Sequence, residues 1–223
     1  MKKFFERLTT LALRLYLPLA LRIDAPDLQQ KVPAQGPLIA IINHTGRIEV
    51  PLFYAYLRPR RVTAWAKIEA WGNWFLRWLF DTWEVIPVHR GEADMSALKK
   101  ALRALEQGYI FGLAPEGTRN YDGVLRRALP GAVVIALHSG APILPIAHWG
   151  GENYLKSFFR RADFHVRVGK PMKIDLRGVK ATAEVRQQIV DEMMREIANL
   201  LPEEYRGVYA DIHTPPKYLI PEK

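Results

Sequence analysis

The chain has 223 residues, of which 49% are hydrophobic and 25% charged. It can therefore bury a substantial core, as one large domain or one domain with an appendage, and is not intrinsically disordered. It contains no cysteine, which excludes disulfides, thiolate metal sites, iron–sulfur clusters and cysteine nucleophiles. The formal net charge of +9 favours an anionic partner, which can be nucleic acid, anionic lipid or a phosphorylated substrate.

The segment 1–23 is predicted to form a basic amphipathic helix, with five cations and one acidic residue. One face of this helix is apolar and consists of Phe4, Leu8, Leu11 and Leu15. The longest uncharged stretch, 15–21, is far shorter than the roughly 20 apolar residues that span a bilayer, and no signal-peptide cleavage pattern is evident. We therefore expect the segment to lie in a membrane interface, with an ordinary surface helix as the alternative. Pro18 is expected to end or kink the helix near Leu17.

The rest of the chain, 24–223, alternates short apolar runs with helical patterns. The predicted strands are 37–42, 62–66, 84–88, 109–113, 143–148 and 164–168. The predicted helices are 51–57, 70–80, 95–106, 132–138 and a final amphipathic helix that begins near Val185 and ends near Leu200. This alternation predicts one α/β domain with a mostly parallel central sheet flanked by helices. The proline-rich tail after Pro202 is expected to run over the surface.

A tryptophan-rich segment follows the second predicted strand. Five of the six tryptophans fall between residues 65 and 83, and one face of the predicted helix 70–80 carries Trp71, Trp74, Phe75 and Trp78. Tryptophan favours the boundary between hydrocarbon and water, because its ring is apolar and its N–H needs a partner. We favour contact with a membrane or an acyl chain for this face, and packing in the core is the alternative.

Residues 43–49, Asn-His-Thr-Gly-Arg-Ile-Glu, follow a buried-looking strand and precede a predicted helix. His44 is therefore expected on a strand-to-helix loop, where active sites of α/β folds gather. Glu49 lies near the helix N-terminus, which favours a carboxylate. A carboxylate that binds one imidazole nitrogen leaves the other as a base that can take a proton from a hydroxyl. Taken alone, the pair can also be a loop histidine with an unrelated surface glutamate.

Three further segments carry candidate site residues. Residues 114–120, Ala-Pro-Glu-Gly-Thr-Arg-Asn, follow another apolar strand; Gly117 permits a tight turn there, and Arg119 offers a planar fork suited to phosphate. Arg90 stands at the tip of the predicted strand 84–88, as a candidate anion ligand. The strand at 141–147 contains two prolines, which predicts an edge strand or a specially shaped pocket wall.

These segments, in this order, resemble the conserved blocks of the glycerolipid acyltransferases, a family that includes the 1-acylglycerol-3-phosphate acyltransferases of phosphatidic acid synthesis. The family's His-x-x-x-x-Asp block is matched by 44–49, and the arginine that ends its second block by Arg90. Its Phe-Pro-Glu-Gly-Thr-Arg-Ser block is matched by 114–120, and its apolar proline-containing strand by 141–146. Two departures are a glutamate at position 49, where the family has aspartate, and an alanine at position 114, where it has an aromatic residue.

The resemblance implies that His44, oriented by Glu49, deprotonates the hydroxyl of a lysophospholipid, which then attacks the thioester of acyl-CoA or an acyl carrier protein. It implies no metal and no cofactor, and a place at the cytoplasmic face of a membrane. The substrate-binding residues it implies are Lys67, Arg90, Glu116, Gly117, Thr118 and Arg119. The segment 1–23 would then be the membrane-associating part, and 24–223 the acyltransferase domain.

Other interpretations remain open. Within the same family, the acceptor can instead be a lyso-ornithine lipid, a glycolipid or another lysophospholipid. A non-catalytic relative that binds membranes is a further alternative. The remaining histidines show no metal-ligand spacing and are expected to be structural or solvated: His89, His138, His148, His165 and His213.

A basic cluster near the end of the predicted sheet could bind nucleic acid. It consists of Lys156, Arg160, Arg161, Arg167, Lys170 and Lys173. No helix-turn-helix, zinc finger or RNA-binding aromatic pattern accompanies it, so we expect no nucleic-acid partner. The cluster can equally dock an acidic carrier protein or the phosphates of coenzyme A, or form a solvated face.

Overall fold

The computed structural model describes residues 2–46, 48–89, 94–152 and 161–222. Within these residues, nine strands form one sheet. They are β1 (Leu21–Asp24), β2 (Leu38–Ile42), β3 (Val62–Lys67), β4 (Ile86–Val88), β5 (Ile110–Leu113), β6 (Ile143–Trp149), β7 (Ala162–Val168), β8 (Met172–Ile174) and β9 (Leu219–Pro221). The α-helices in the same residues are α1 (Lys2–Ala20), α2 (Leu28–Lys31), α3 (Glu49–Tyr56), α4 (Trp74–Thr82), α5 (Met95–Glu106), α6 (Gly131–Ser139) and α7 (Ala183–Ala198).

The sheet is mostly parallel, which confirms the predicted α/β class. Its strand order is β1-β7-β6-β2-β5-β3-β4, with β8 beside β6 and β9 beside β8. The central strands β6, β2, β5, β3 and β4 all run in the same direction. The strand β7 is antiparallel to β6, and β1 is parallel to β7. All the central strands therefore end at one edge of the sheet, where loops from successive strands meet.

Helices cover both faces of the sheet, because side chains alternate along β2. Leu38, Ala40 and Ile42 belong to a buried cluster with residues of α1 and α3. Ile39 and Ile41 belong to a second cluster, with residues of α5, α6 and α7. This alternation, with every residue of β2 buried, places β2 at the centre of a helix–sheet–helix sandwich.

The proline-containing strand β6 is interior, so of the two predicted alternatives the edge strand was wrong. Pro145 lies opposite Ile41 of β2, while the antiparallel ladder with β7 begins one residue later, at Ile146. Proline is tolerated at this position because the ladder with β7 requires no N–H from it. Its carbonyl still accepts a hydrogen bond from the N–H of Gly169, at 2.9 Å.

Two predicted helices have different limits in the structure. The helix α1 continues through Pro18 to Ala20, because Pro18 is exposed near the helix end and water can reach the carbonyl that the proline leaves without a donor. The predicted helix 70–80 is divided: a 3₁₀ helix covers 68–72, and Asn73 caps α4 by accepting hydrogen bonds from two N–H groups, each at 3.0 Å.

The tail after Pro202 is partly buried, contrary to the prediction that it runs over the surface. It forms short 3₁₀ turns at 203–205 and 207–209, and it returns to the sheet as β9. The buried carboxylate of Glu192, on α7, accepts hydrogen bonds from three successive tail N–H groups, those of Lys217, Tyr218 and Leu219. The strands β1, β8 and β9, each three or four residues long, were not predicted.

The helix α1 is buried on one side and exposed on the other. Its inner side chains Leu17 and Ala20 are fully buried in the cluster beneath α3. Its outer face keeps the predicted apolar residues exposed, including Phe4 and Leu15. In the described part of the chain, no helix combines the length and the apolar character needed to cross a membrane.

Candidate active site

His44 and Glu49 form a hydrogen-bonded pair at the carboxyl end of β2. His44 lies on the loop after the strand, and Glu49 is the first residue of α3. The His44 Nδ1 and the Glu49 Oε1 are 2.6 Å apart. The Glu49 side chain is completely buried, whereas the His44 side chain is 13% exposed. The imidazole therefore lies between a buried carboxylate and solvent.

The electrostatics of Glu49 fix the protonation of this pair. Burial alone would raise the pKa of Glu49, but the hydrogen bond from His44, aided by a backbone N–H, lowers it to about 2. The carboxylate is therefore ionised at neutral pH and can only accept a hydrogen bond. It follows that Nδ1 of His44 carries the proton, which leaves Nε2 free to act as a base.

The backbone of His44 is held by the loop that follows β5. The His44 N–H donates to the Glu116 Oε1 at 3.1 Å, and the His44 carbonyl accepts from the N–H of Asn120 at 2.7 Å. The other oxygen of Glu116 accepts from the N–H of Arg126 at 3.1 Å. Burial raises the pKa of Glu116, although both N–H groups oppose this shift. Glu116 thus connects two loops through their backbones and makes no hydrogen bond to Arg119.

A second set of contacts fixes the residue before His44. The Asn43 side chain donates to the His148 carbonyl at 2.7 Å and accepts from the His148 N–H at 2.9 Å. The His148 Nε2 lies 2.6 Å from the Asn43 carbonyl oxygen, and its ring stacks on Phe164 with centroids 5.4 Å apart. His148 is fully buried, and burial lowers its pKa, so the ring is neutral and its Nε2–H donates to Asn43.

The loop 114–130 has a specific shape around Gly117. The Gly117 N–H closes a turn onto the Ala114 carbonyl at 3.0 Å. The φ of Gly117 is +69°, and a Cβ there would lie 3.0 Å from the Leu129 side chain. This backbone conformation strongly favours glycine, as the sequence predicts.

The tail anchors the far end of this loop. The Leu125 N–H donates to the Tyr205 carbonyl at 2.9 Å, and the Ala128 N–H donates to the Tyr209 hydroxyl at 3.0 Å. Tyr209 in turn donates to Asp191 of α7 at 2.9 Å. The loop conformation therefore depends on residues that follow it by about eighty positions.

Three further predicted site residues lie at the same edge of the sheet. Thr118 and Arg119 are exposed on the loop after β5, and Lys67 is exposed at the end of β3, opposite Val88 of β4. Arg119 and Lys67 form no ion pair with any described residue. Arg90 lies outside the described residues.

Sequence reasoning missed Asn43 and Asn120, which hold His44 in place. It also missed the pairing of Asn43 with His148. Both asparagines stand inside the quoted motifs, so their position was the available signal.

No three His, Asp or Glu side chains in the described ranges come close enough together to hold a metal ion.

Two members of the predicted basic cluster form ion pairs within the chain. Arg167 pairs with Asp24 at 2.7 Å, and Lys173 pairs with Glu222 at 2.9 Å. Two of its other members, Lys156 and Arg160, lie outside the residues that the structure describes. The charges of Arg167 and Lys173 therefore have intramolecular partners.

Comparisons with known proteins show which proteins the chain resembles. The model of a family described as "Acyltransferase" matches residues 27–149. The 1-acyl-sn-glycerol-3-phosphate acyltransferase of Bacillus subtilis is 28% identical over 145 residues, which are 65% of this chain and 71% of that protein. The protein of the same name from Borreliella burgdorferi is 25% identical over 173 residues, 74% of this chain and 69% of that one.

A solved structure has a similar fold. It is the 1-acyl-sn-glycerophosphate acyltransferase of Thermotoga maritima, with a TM-score of 0.62 and 20% sequence identity. The similarity covers 89% of this chain and 81% of that one. At 20% identity, this similarity shows that the two proteins share a fold.

Proposed function

The chain belongs to the acyltransferase family, and from this premise we propose that it transfers a fatty acyl group from an acyl thioester to the free hydroxyl of 1-acylglycerol-3-phosphate, which yields phosphatidic acid. The relatives compared above carry this activity in their names. Acyl-CoA and acyl carrier protein are the two donors to be distinguished. The observation that carries the proposal is the His44–Glu49 pair, with a buried ionised carboxylate behind a partly open imidazole.

In the proposed mechanism, His44 acts as a general base. Its Nε2 takes the proton of the acceptor hydroxyl while the oxygen attacks the thioester carbonyl. As the tetrahedral intermediate collapses, the new ester C–O bond is kept and the C–S bond breaks. His44 returns its proton to the departing thiolate, so the base is regenerated. Glu49 stabilises the imidazolium formed between these steps.

The glutamate at position 49 is compatible with this role. Its additional methylene, compared with the aspartate of related sequences, does not prevent contact, since Oε1 reaches Nδ1 at 2.6 Å. The carboxylate approaches from the first turn of α3, where the helix dipole also favours its charge. Direct transfer is the simplest route, because the chain has no cysteine and no Gly-x-Ser-x-Gly nucleophile motif.

The acceptor phosphate is assigned to exposed cations that follow two neighbouring strands of the sheet. Arg119 and Lys67 are exposed at the same edge of the sheet, and an arginine can bind two phosphate oxygens at once. Gly117 lets the backbone of this loop turn tightly beside them. We propose that Arg90 binds the same phosphate and that Thr118 also contacts the substrate.

Glu116 is assigned a different role from the one that the resemblance implies. Both of its oxygens accept backbone hydrogen bonds, from His44 and Arg126. We therefore infer that it positions His44 and does not bind the acceptor. This assignment predicts an effect on the catalytic step, whereas a substrate ligand would affect the apparent affinity for the acceptor.

Attachment to a bilayer surface is proposed for α1 and α4 together. The exposed residues of α1 include Phe4, Leu15 and Leu19, and Trp74 on α4 is 80% exposed. The Phe5 and Trp78 rings meet edge to face with centroids 5.8 Å apart, so the two helices present one apolar surface. Such a surface, next to basic residues, is typical of interfacial helices.

The decisive experiment is an acyl-transfer assay of the wild type and of His44→Ala with both donors and a panel of acceptors. The panel contains 1-acylglycerol-3-phosphate, lysophosphatidylcholine, a lyso-ornithine lipid and a glycolipid. We expect transfer to the lysophosphatidic acid alone, and its loss in the folded variant. Transfer to a different acceptor would correct the substrate, and substantial activity in His44→Ala would refute the mechanism.

A further inference from the structure

A basic groove separates α1 from the turn between α3 and β3. It has a volume of about 730 Å³. One wall is formed by α1 residues that include Lys3, Arg7 and Arg14, and the other by Arg58 and Arg61. Because these residues come from separate parts of the chain, folding creates a concave cationic site that the helix alone does not have.

The groove has more positive charge than its own acids can neutralise. Five cations and two acids line it. Glu6 pairs with Arg58 at 3.0 Å, and Glu84 pairs with Arg61 at 2.5 Å. Lys3 and Arg7 are exposed and have no ion-pair partner among the described residues. The surplus of about three positive charges favours the binding of an anion.

One wall also holds a buried donor with no acceptor. The Nε–H of Arg58 has no hydrogen-bond partner in the described structure. The rest of the Arg58 guanidinium is held by Glu6 and by the Tyr54 hydroxyl, so Arg58 is a fixed positive charge in this wall. The exposed Lys3 and Arg7 are the residues that can donate hydrogen bonds to an anion in the groove.

The position of the groove identifies the kind of anion. Leu11 lines the groove and also belongs to the exposed apolar stripe of α1. With that stripe in the acyl-chain boundary of a bilayer, the groove lies beside it at the depth of the headgroups. A lipid next to α1 can thus place its phosphate in the groove and its chains along the stripe.

The groove is separate from the candidate active site. Arg58 follows the C-terminal end of α3, whereas Glu49 is at its N-terminal end. For eight residues this corresponds to about 12 Å along the helix axis. The acceptor phosphate at Arg119 and an anion in the groove are therefore two different ligands.

We propose that this groove binds the phosphate headgroup of an anionic phospholipid in the membrane on which the protein acts. The proposal rests on the membrane attachment proposed above and adds a specific headgroup site to it. It explains why cations of α1 face cations of a distant turn, with too few acids to neutralise them. Each basic residue near an anionic surface adds about 1 kcal/mol, which is about five-fold in binding.

The test measures flotation of the full chain with phosphatidylcholine vesicles, with and without phosphatidylglycerol. The variants are Lys3→Gln/Arg7→Gln on one wall and Arg61→Gln on the other. Lys99→Gln/Lys100→Gln is the matched control, because it removes two exposed charges from α5, on the opposite face of the sheet. We expect about 25-fold weaker binding to the anionic vesicles for the double groove variant and about five-fold for Arg61→Gln. The binding of the control variant to the anionic vesicles should change by less than about two-fold.

A second measurement separates a site from general attraction. Dihexanoyl phosphatidylglycerol, as dissolved monomers, should raise the melting temperature of the wild type, and dihexanoyl phosphatidylcholine should not. Both groove variants should lose this shift. Equal losses in the control and the groove variants would overturn the proposal, as would unchanged binding in the groove variants. A raised KM for acyl-CoA in Arg61→Gln, with normal vesicle binding, would assign the groove to the donor and also overturn it.

Failure of this proposal can be distinguished from failure of membrane attachment or of the proposed activity. Binding to pure phosphatidylcholine vesicles reports the apolar stripe alone, and Leu15→Ser tests it. Acyl transfer in detergent micelles reports the active site, and it should be unchanged in the groove variants, since none of these residues is assigned to catalysis.

Discussion

The backbone N–H of His44 donates a hydrogen bond to Oε1 of Glu116, 3.1 Å away and 72 residues further along the chain. The position of the proposed base thus depends on a carboxylate from another loop, which also holds the N–H of Arg126. Glutamine has one acceptor oxygen in place of two, so Glu116→Gln leaves one of these N–H groups without a partner. The cost of about 1–3 kcal/mol should appear as a reduction of about 10- to 100-fold in kcat.

Steady-state kinetics of Glu116→Gln check this prediction, with the exposed Glu106→Gln as a control for the loss of a charge. The KM for the acceptor should stay within about two-fold of the wild-type value, since an interaction lost only in the catalytic step lowers kcat. A large increase in this KM with a normal kcat would show instead that Glu116 binds the acceptor.

The ionised carboxylate of Glu49 sets the tautomer of His44. Glu49→Gln presents an amide to Nδ1, so the reactive tautomer is no longer enforced, and we expect kcat to fall by about 10²- to 10⁴-fold. Glu49→Asp keeps the charge but shortens the side chain, and should lose less activity. The two variants are compared by kcat at neutral pH after circular dichroism has shown that both are folded. Equal activity of Glu49→Gln and the wild type would exclude the pair from the mechanism.

Glu49 should also make stability depend on pH. Its pKa is about 2 in the folded chain, against 4.5 for an ordinary glutamate. A lowered folded pKa adds stability above the unfolded value, and this stability is lost as the pH falls from about 4.5 to about 2. The shift corresponds to about 3 kcal/mol. Denaturant unfolding of the wild type and Glu49→Gln at pH 7 and pH 3 should show the difference between them shrinking at the lower pH; a constant difference would contradict this account.

His148 stabilises the segment that carries His44. Its ring donates to the Asn43 carbonyl and stacks on Phe164, and it is fully buried. His148→Ala removes both contacts and leaves a cavity, so we expect a loss of about 2–4 kcal/mol in the free energy of unfolding and a lower kcat. His148→Gln can still donate to Asn43 and should recover part of both. If alanine and glutamine behaved alike, the hydrogen bond to Asn43 would not be the important contact.

Membrane attachment should depend on the exposed apolar side chains of α1 and α4. Leu15→Ser and Trp74→Ser each remove apolar surface without touching the core, and should weaken flotation with phosphatidylcholine vesicles by at least about ten-fold. Val208→Ser is a matched control, because Val208 is 68% exposed on the tail. Point substitutions are preferable to deletion of 1–23, since deletion also removes most of β1 and the buried Leu17. Unchanged flotation of both variants would refute this surface.

The periodicity of the chain was sufficient to predict the central sheet and most helices. The helix 95–106 begins and ends where its cap and its apolar spacing indicate, with Asp94 accepting from the Ala97 N–H at 2.9 Å. The pairing of His44 with Glu49 was also predictable, because five residues separate them across a strand-to-helix loop. Local patterns of this kind are encoded by neighbouring residues.

The contacts that hold His44 in place could not be predicted in this way. They depend on the registers of β2 with β5 and β6, which set Asn43 beside His148 and Glu116 beside the His44 backbone. Register is a property of the assembled sheet, and no single segment contains it. The burial of Tyr209 and Leu219 is equally non-local, since the tail packs on α7 and on the loop after β5.

The anchoring of the loop 114–130 by Tyr205 and Tyr209 has a consequence for the order of events during synthesis. A ribosome releases α1 before the strands of the sheet, so its apolar stripe is exposed while most of the sheet is still unmade. The loop that holds His44 emerges later, and its anchors later still. Under the proposed function, the nascent chain can therefore meet a membrane before His44 is held in place, so an unfinished polypeptide would not consume acyl thioester.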